Sequence, residues 1–214
     1  MTTRSSPQLS PLRQSQIAPQ PIHKAWDAMT LVDLSLVTRS GAKGADMPRW
    51  LSDAGLPMPE HSNQGVRHPA GGIIARLSPG EVLLLGDPFA GDSPWIEAAK
   101  AHLGQGQGLC FPLPRADSHA WFCVVGESAP AMFAKVCSVD LSGRAFPDLH
   151  IAQTSVARVN AIVIRDDETF KDKSEFPCYH VLADWASARS LWDYLLDAMA
   201  EFGGRSAAQE VPTE

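Results

Sequence analysis

HAWFCVVGESAPAMFAKVCSVDLSGRAFPDLHIAQTSVARVN, residues 119–160, is the stretch whose reading decides the fold. Trp121 to Val125 make an apolar run of strand length, and Gly126 interrupts it. Ser128 then suits an N-cap, and Pro130 falls in the first helical turn, where its missing N–H costs nothing. Ala131, Met132, Phe133, Val136 and Cys137 give that helix an apolar face. A turn-rich segment, VDLSGRAFP, follows. AQTSVARV (152–159) reads as the returning strand, with Thr154, Val156 and Val159 as strand formers and Arg158 on its polar face. Strand, helix and returning strand in one block predict a compact α+β sandwich.

Toward the N-terminus the same vocabulary recurs. LVDLSLVT (31–38) reads as a strand, and the glycines of RSGAKG (39–44) as a tight turn into a helix. That helix takes Asp46 as N-cap and Pro48 in its first turn, buries Met47, Trp50, Leu51 and Ala54, and ends at Gly55. LPMPEHSNQGVRHPAGG (56–72) is dense in Pro and Gly and reads as loop. GIIARLSPGEVLLLGD (72–87) reads as a hairpin, and the unbroken apolar run of EVLLL implies burial on both faces. Ser93 and Pro94 open another helix carrying Trp95, Ile96, Ala99 and Leu103, which stops at Gly104. GQGQG after it follows a helix where a dinucleotide loop would follow a strand, so it is a connector. RSGAKG likewise lacks the Gly-Lys-Ser/Thr of a phosphate loop.

Laid side by side, the halves repeat. Gly44, Asp46, Pro48 and Leu51 match Gly126, Ser128, Pro130 and Phe133 at one offset, 82. Leu85, Asp87 and Trp95 match Leu182, Asp184 and Trp192 at an offset of 97. This predicts a duplicated strand–helix–strand–strand–helix unit, 30–108 and 109–204, with a tail at 205–214. The charged run RDDETFKDKSEF (165–176) supplies the extra length of the second copy and reads as a solvated hairpin loop. Residues 1–29, rich in Pro, Gln and Ser, read as a disordered tail or as an arm that orders along a partner.

Composition excludes several classes. A net charge of −6 argues against nucleic acid, which rewards basic stripes. No apolar run approaches the roughly 20 residues of a membrane helix, and the N-terminal stretch has no signal-peptide core, so a cytoplasmic location is expected. Cys110, Cys123, Cys137 and Cys178 form no CxxC pair and lie at no zinc-ligand spacing from a histidine, so no metal is expected and each reads as a small buried hydrophobe. Cys178 and His180 share one strand face, without an evident orienting residue for a nucleophile. Asp166, Asp167 and Glu168, three acids in a row at a loop, are expected to be solvated, and no catalytic acid is drawn from them.

The last helix, WASARSLWDYLLDAMAEF capped by Asp184, has a wide apolar face with two tryptophans, Trp185 and Trp192. It is either a well-buried helix or one that also presents an anchor to another chain. Arg39, Arg144 and Arg158 sit beside turns, where an arginine caps carbonyls or pairs with carboxylates across an interface.

Three segments in order, H-A-W-F-x-V-x-G, V-D-L-x-x-R-A-F-P and A-Q-T-x-x-A-R-V, resemble the gamma subunit of heterotetrameric sarcosine oxidase. That family includes the small subunit of N-methylglutamate dehydrogenases and is similar in fold to the folate-binding aminomethyltransferase, the T protein of glycine cleavage. The resemblance covers 119–160 in detail and 31–203 in outline. It implies an aminomethyltransferase-like fold lacking that protein's C-terminal barrel, and a structural, non-catalytic subunit of a flavin- and tetrahydrofolate-linked N-methyl amino acid oxidoreductase of methylamine and one-carbon metabolism. DLSLVTRSGAKGADMPRWLSDAGLPMP leans toward the N-methylglutamate enzyme over the sarcosine one. The implied partners are alpha, beta and delta subunits, which hold FAD, FMN, NAD(P), tetrahydrofolate and zinc, while this chain binds no cofactor alone. Arg39, Arg144, Phe146, Arg158, Trp185 and Trp192 become candidate partner-interface residues. The alternatives are a stand-alone folate-binding or aminomethyl-transfer protein and a pure scaffold.

Overall fold

The computed structural model describes residues 29–90, 92–105, 108–170 and 176–207. The arm expected at the N-terminus and most of the C-terminal tail lie outside the described residues. The chain folds as two β-sheets packed face to face, each covered on its outer side by helices. One sheet contains β1 (Thr30–Asp33), β7 (His119–Val125), β8 (Ile151–Val156), β9 (Val159–Arg165), β10 (Cys178–Asp184) and β11 (Arg205–Ala207), in the order β11-β1-β7-β10-β9-β8. The other contains β2 (Arg39–Lys43), β3 (Gln64–Arg67), β4 (Ile73–Ser78), β5 (Glu81–Leu85) and β6 (Phe111–Leu113), in the order β3-β4-β5-β2-β6.

Alternation along the central strands sorts the side chains into layers. Trp121, Cys123 and Val125 of β7 face the other sheet and meet Leu83 and Leu85 of β5. Phe122 and Val124 face outward, onto α4 (Ala129–Val136) and α5 (Ala188–Met199). In the five-stranded sheet Val82 and Leu84 face α1 (Met47–Asp53) and α2 (Pro94–Leu103). EVLLL is therefore buried on both faces, as its unbroken apolar run requires. A short α3 (Arg115–Ser118) precedes β7.

The matched glycines perform one job in two places. Gly44 and Gly126 take φ of 150° and 152° at the turns from β2 into α1 and from β7 into α4, a region closed to residues with a Cβ. Elsewhere the local reading misplaced strands. LVDLSLVT is not one strand: β1 ends at Asp33, and the chain turns and crosses to the other sheet as β2, so that RSGAK, read as a turn, is a strand between β5 and β6. The loop 56–72 contains β3. AQTSVARV is broken by a two-residue turn at Ala157 and Arg158, with φ of 49° and 66°. Such a turn favours glycine or asparagine; here the Ala157 N–H donates to Val136 O at 2.8 Å and holds the tip against the end of α4. Each pair of long helices thus brackets three strands, not two. Each sheet also takes a short strand from the other side of residue 108, β1 in one case and β6 in the other. No helix among the described residues is long and apolar enough to cross a membrane.

Candidate functional site

The two sheets are stitched together along the β3 and β8 edges. The Gly65 N–H donates to Leu149 O at 2.8 Å, and that of Ile151 to Asn63 O at 3.0 Å. This seam brings Arg67, at the end of β3, against the loop that follows β9. Arg67 grips Asp148 with both terminal nitrogens at 2.9 Å and gives Nη2 to Asp166 Oδ1 at 2.6 Å. Asp166 is 0% exposed. Its oxygens also accept from the Glu168 and Thr169 backbone N–H groups, from the Thr169 hydroxyl, and face His180 Nε2 at 3.4 Å.

The expectation of a solvated acid run is overturned at Asp166. Burial pushes its pKa up, but His180, Thr169 and Arg67 outweigh burial and hold the carboxyl well below the usual range. A carboxylate so saturated with donors is a poor general base, because taking a proton would break several of these bonds. The run's neighbour Asp167 takes a different partner, accepting from Arg165 Nε at 2.8 Å. Phe170, in the same segment, is buried between the sheets.

Behind Asp166 the polar chain continues into the core. Trp121 Nε1 donates to His180 Nδ1 at 3.1 Å. Indole N–H has no acceptor role, so Nδ1 keeps its lone pair and the ring proton sits on Nε2, toward Asp166. Burial lowers the pKa of His180, but the Cys178 sulfur and Asp166 outweigh burial and push it upward. Burial also holds the Cys178 thiol far above its ordinary pKa, hence neutral, which weakens that upward pull. The neutral Nε2–H tautomer fits every partner in place. Cys123 and Cys178 lie beside it, their sulfurs 2.6 Å apart.

In front of Arg67 opens a cavity of about 430 Å³, walled by Arg67, His68, Gly72, Asp87, Phe89 and Glu168. His68 stacks on Trp95 with ring centres 4.3 Å apart, and burial lowers its pKa, which favours the neutral ring. Gly72 has φ 87°, and a Cβ there would lie 2.2 Å from Leu85 O, so the wall's backbone curve depends on glycine. Arg67 Nε is buried without a partner among the described residues. Among the described residues, the cavity wall includes two carboxylates, an exposed aromatic and one arginine whose terminal nitrogens are already engaged.

The six candidate interface residues are not brought together. Arg39 is buried and ties the loop before β2 to α3, donating to Ser35 O at 2.7 Å, Ala116 O at 3.0 Å and His119 O at 2.5 Å. Phe146 is buried in the helix-side core, and Trp192 packs edge-to-face on Phe122 at 5.1 Å. These three side chains are committed to the chain's own interior. Arg144 and Arg158 are exposed and Trp185 is half-buried. Arg158, at the hairpin tip, overlooks an open groove with Lys135 and Tyr194 on its rim. Sequence reading missed Arg67, Asp148 and His180 as a set. Arg67 and Asp166 stand 99 residues apart, and no local pattern signals that they meet.

No protein-family model matches the chain, and no curated protein matches it. Among solved structures, the fold is similar to a chain of heterotetrameric sarcosine oxidase from Corynebacterium sp. U-96, in complex with pyrrole 2-carboxylate. The TM-score is 0.66 at 19% identity, over 83% of this chain and 86% of that one. It is also similar to the glycine cleavage system aminomethyltransferase T from Bartonella henselae, with TM-score 0.57 and 17% identity. That match covers 84% of this chain but 48% of the other, so this chain spans about half the aminomethyltransferase's length. At these identities the likeness is one of fold.

Proposed function

We propose that this chain is a gamma-type accessory subunit of a heterotetrameric amine oxidoreductase acting on N-methyl amino acids, with a role in assembly and support. The observation that carries the reading is the match, over 83% of this chain and 86% of the other, to a chain of a heterotetrameric sarcosine oxidase. The sequence segments at 119–160 point the same way. In this reading the two strand–helix–three-strand–helix runs are copies of one unit, which accounts for the shared glycine turns. The alpha, beta and delta partners hold FAD, FMN, NAD(P), tetrahydrofolate and zinc, and N-methylglutamate is favoured over sarcosine as substrate. Arg144, Arg158 and Trp185 remain the surface residues proposed to meet those partners.

The cavity chemistry supports an accessory role over a stand-alone folate enzyme. Folate carries an anionic glutamate tail, which calls for free cations. The cavity's Arg67 is already bonded to Asp148 and Asp166, and Asp87 and Glu168 would repel the tail. The described residues therefore do not favour folate on their own, and Asp166 is too heavily bonded to serve as a base. Gentle purification of the tagged chain from its native host tests the proposal. Flavin absorbance with companion chains supports it, and turnover of N-methylglutamate against sarcosine then assigns the substrate. A colourless lone chain refutes it.

A further inference from the structure

Of the molecule's four cysteines, two stand apart from the others. Cys123 lies on β7 directly opposite His180 of β10, and Cys178 sits one pleat away on the same inner face. Their sulfurs are 2.6 Å apart, inside the van der Waals contact of two thiols. Cys110 and Cys137 are buried in separate clusters, behind the five-stranded and six-stranded sheets respectively. We propose that Cys123 and Cys178 form a reversible disulfide site that fastens β7 to β10 beneath the His180–Asp166 network.

Cys123, Cys178 and His180 also present three ligand atoms within 4.8 Å of one another, so a soft metal ion is the competing occupant. The histidine decides against it. A metal would need the Nε2 lone pair, with the ring hydrogen moved to Nδ1. Trp121 already donates to Nδ1, so the hydrogen is held on Nε2. Two sulfurs pressed together beside a protonated nitrogen suit an S–S bond better than a coordination shell. Closure to the usual bond length of about 2.05 Å needs only a small movement of the two side chains.

Access follows from the position of Cys178. It is the first residue of β10, and its pairing with Val125 is the last rung of the β7–β10 ladder. Opening it breaks the bonds from the Asp166 N–H to Cys178 O at 2.9 Å and from the Gly126 N–H to Pro177 O at 3.2 Å, which costs less than opening the middle of the sheet, where Cys123 lies. When that rung opens, water reaches the Cys178 sulfur and lifts the burial that keeps it a neutral thiol. Its thiolate then attacks a peroxide, taking one oxygen to become a sulfenic acid, and the other oxygen leaves as hydroxide, which takes up the thiol's proton to give water. The Cys123 sulfur would then attack that sulfur, forming the S–S bond as the hydroxyl leaves as a second water. Two thiols lose two hydrogens in total, and one peroxide becomes two waters. A dithiol reductant reverses the step.

The test uses the full chain, reduced and then exposed to hydrogen peroxide, followed by alkylation under denaturing conditions and peptide mass mapping. The expected result is the loss of two of the four alkylatable thiols, with one cross-linked peptide pair containing Cys123 and Cys178. The melting midpoint should rise by roughly 5–10 °C on oxidation and return with dithiothreitol. Cys178→Ala should abolish both the cross-link and the rise. Four alkylatable thiols after exposure would overturn the proposal, as would a cross-link through Cys110 or Cys137. Stoichiometric zinc uptake that protects Cys123 and Cys178 from alkylation would overturn it in favour of the metal.

Discussion

Replacing Asp166 with alanine should cost the chain about 3 kcal/mol, far more than any other acid of the run 166–168. The carboxylate is fully buried and accepts from Arg67, two backbone N–H groups and the Thr169 hydroxyl. Removing one partner of a buried ion pair generally costs about 3–5 kcal/mol, because the other charge is left uncompensated. The lower end applies here, since Arg67 keeps both bonds to Asp148 and its side chain is one-third exposed. At a urea slope of about 2–3 kcal/mol/M, the unfolding midpoint should fall by about 1–1.5 M. Asp148→Ala, which removes a carboxylate 36% exposed, should cost about 1 kcal/mol. The pH dependence has a definite sign. The folded-state pKa of Asp166 lies well below its unfolded value of about 4, so its contribution is complete above that value and is lost as pH falls below it. The gap between wild type and Asp166→Ala should therefore be full at neutral pH and shrink in acid below about pH 4. Equal midpoint shifts for the two variants, or a shift under about 0.3 M for Asp166→Ala, would refute the buried-network account.

Trp192→Ala, which empties a core site against Phe122, should cost about 3–5 kcal/mol by chemical denaturation, whereas Arg144→Ala should stay within about 0.5 kcal/mol. Arg158→Gly should raise the melting midpoint by roughly 2–4 °C by relieving a positive φ, yet reduce recovery of companion chains in pull-downs if the exposed guanidinium meets a partner. Nitrogen-15 NMR of the histidine rings should show neutral His180 as the Nε2–H tautomer, and Trp121→Phe should abolish that preference. A doubly protonated ring at neutral pH would contradict the Trp121 hydrogen bond.

Local sequence determined what local physics can carry. The apolar runs 121–125 and 81–85, the helix starts around Pro48, Pro94 and Pro130, and the glycine turns at 44 and 126 stand where their residue types place them, although the expected caps Asp46, Ser93 and Ser128 make no side-chain capping bond. Backbone propensity and alternation act within a few residues and placed these elements, while the resemblance of three segments to a known family pointed to the fold. Tertiary structure decided the rest. RSGAK has the composition of a turn and becomes a strand because β5 and β6 hydrogen-bond to it from both sides. Ala157 and Arg158 carry no turn signal and are held at positive φ by a bond from Ala157 to Val136. Asp166 looks like its two acidic neighbours in sequence, and it is buried only because the seam between the sheets delivers Arg67 and His180 to it. Whether an ionisable group is a surface charge or the centre of a network depends on partners distant in the chain, and a linear pattern does not encode those distances.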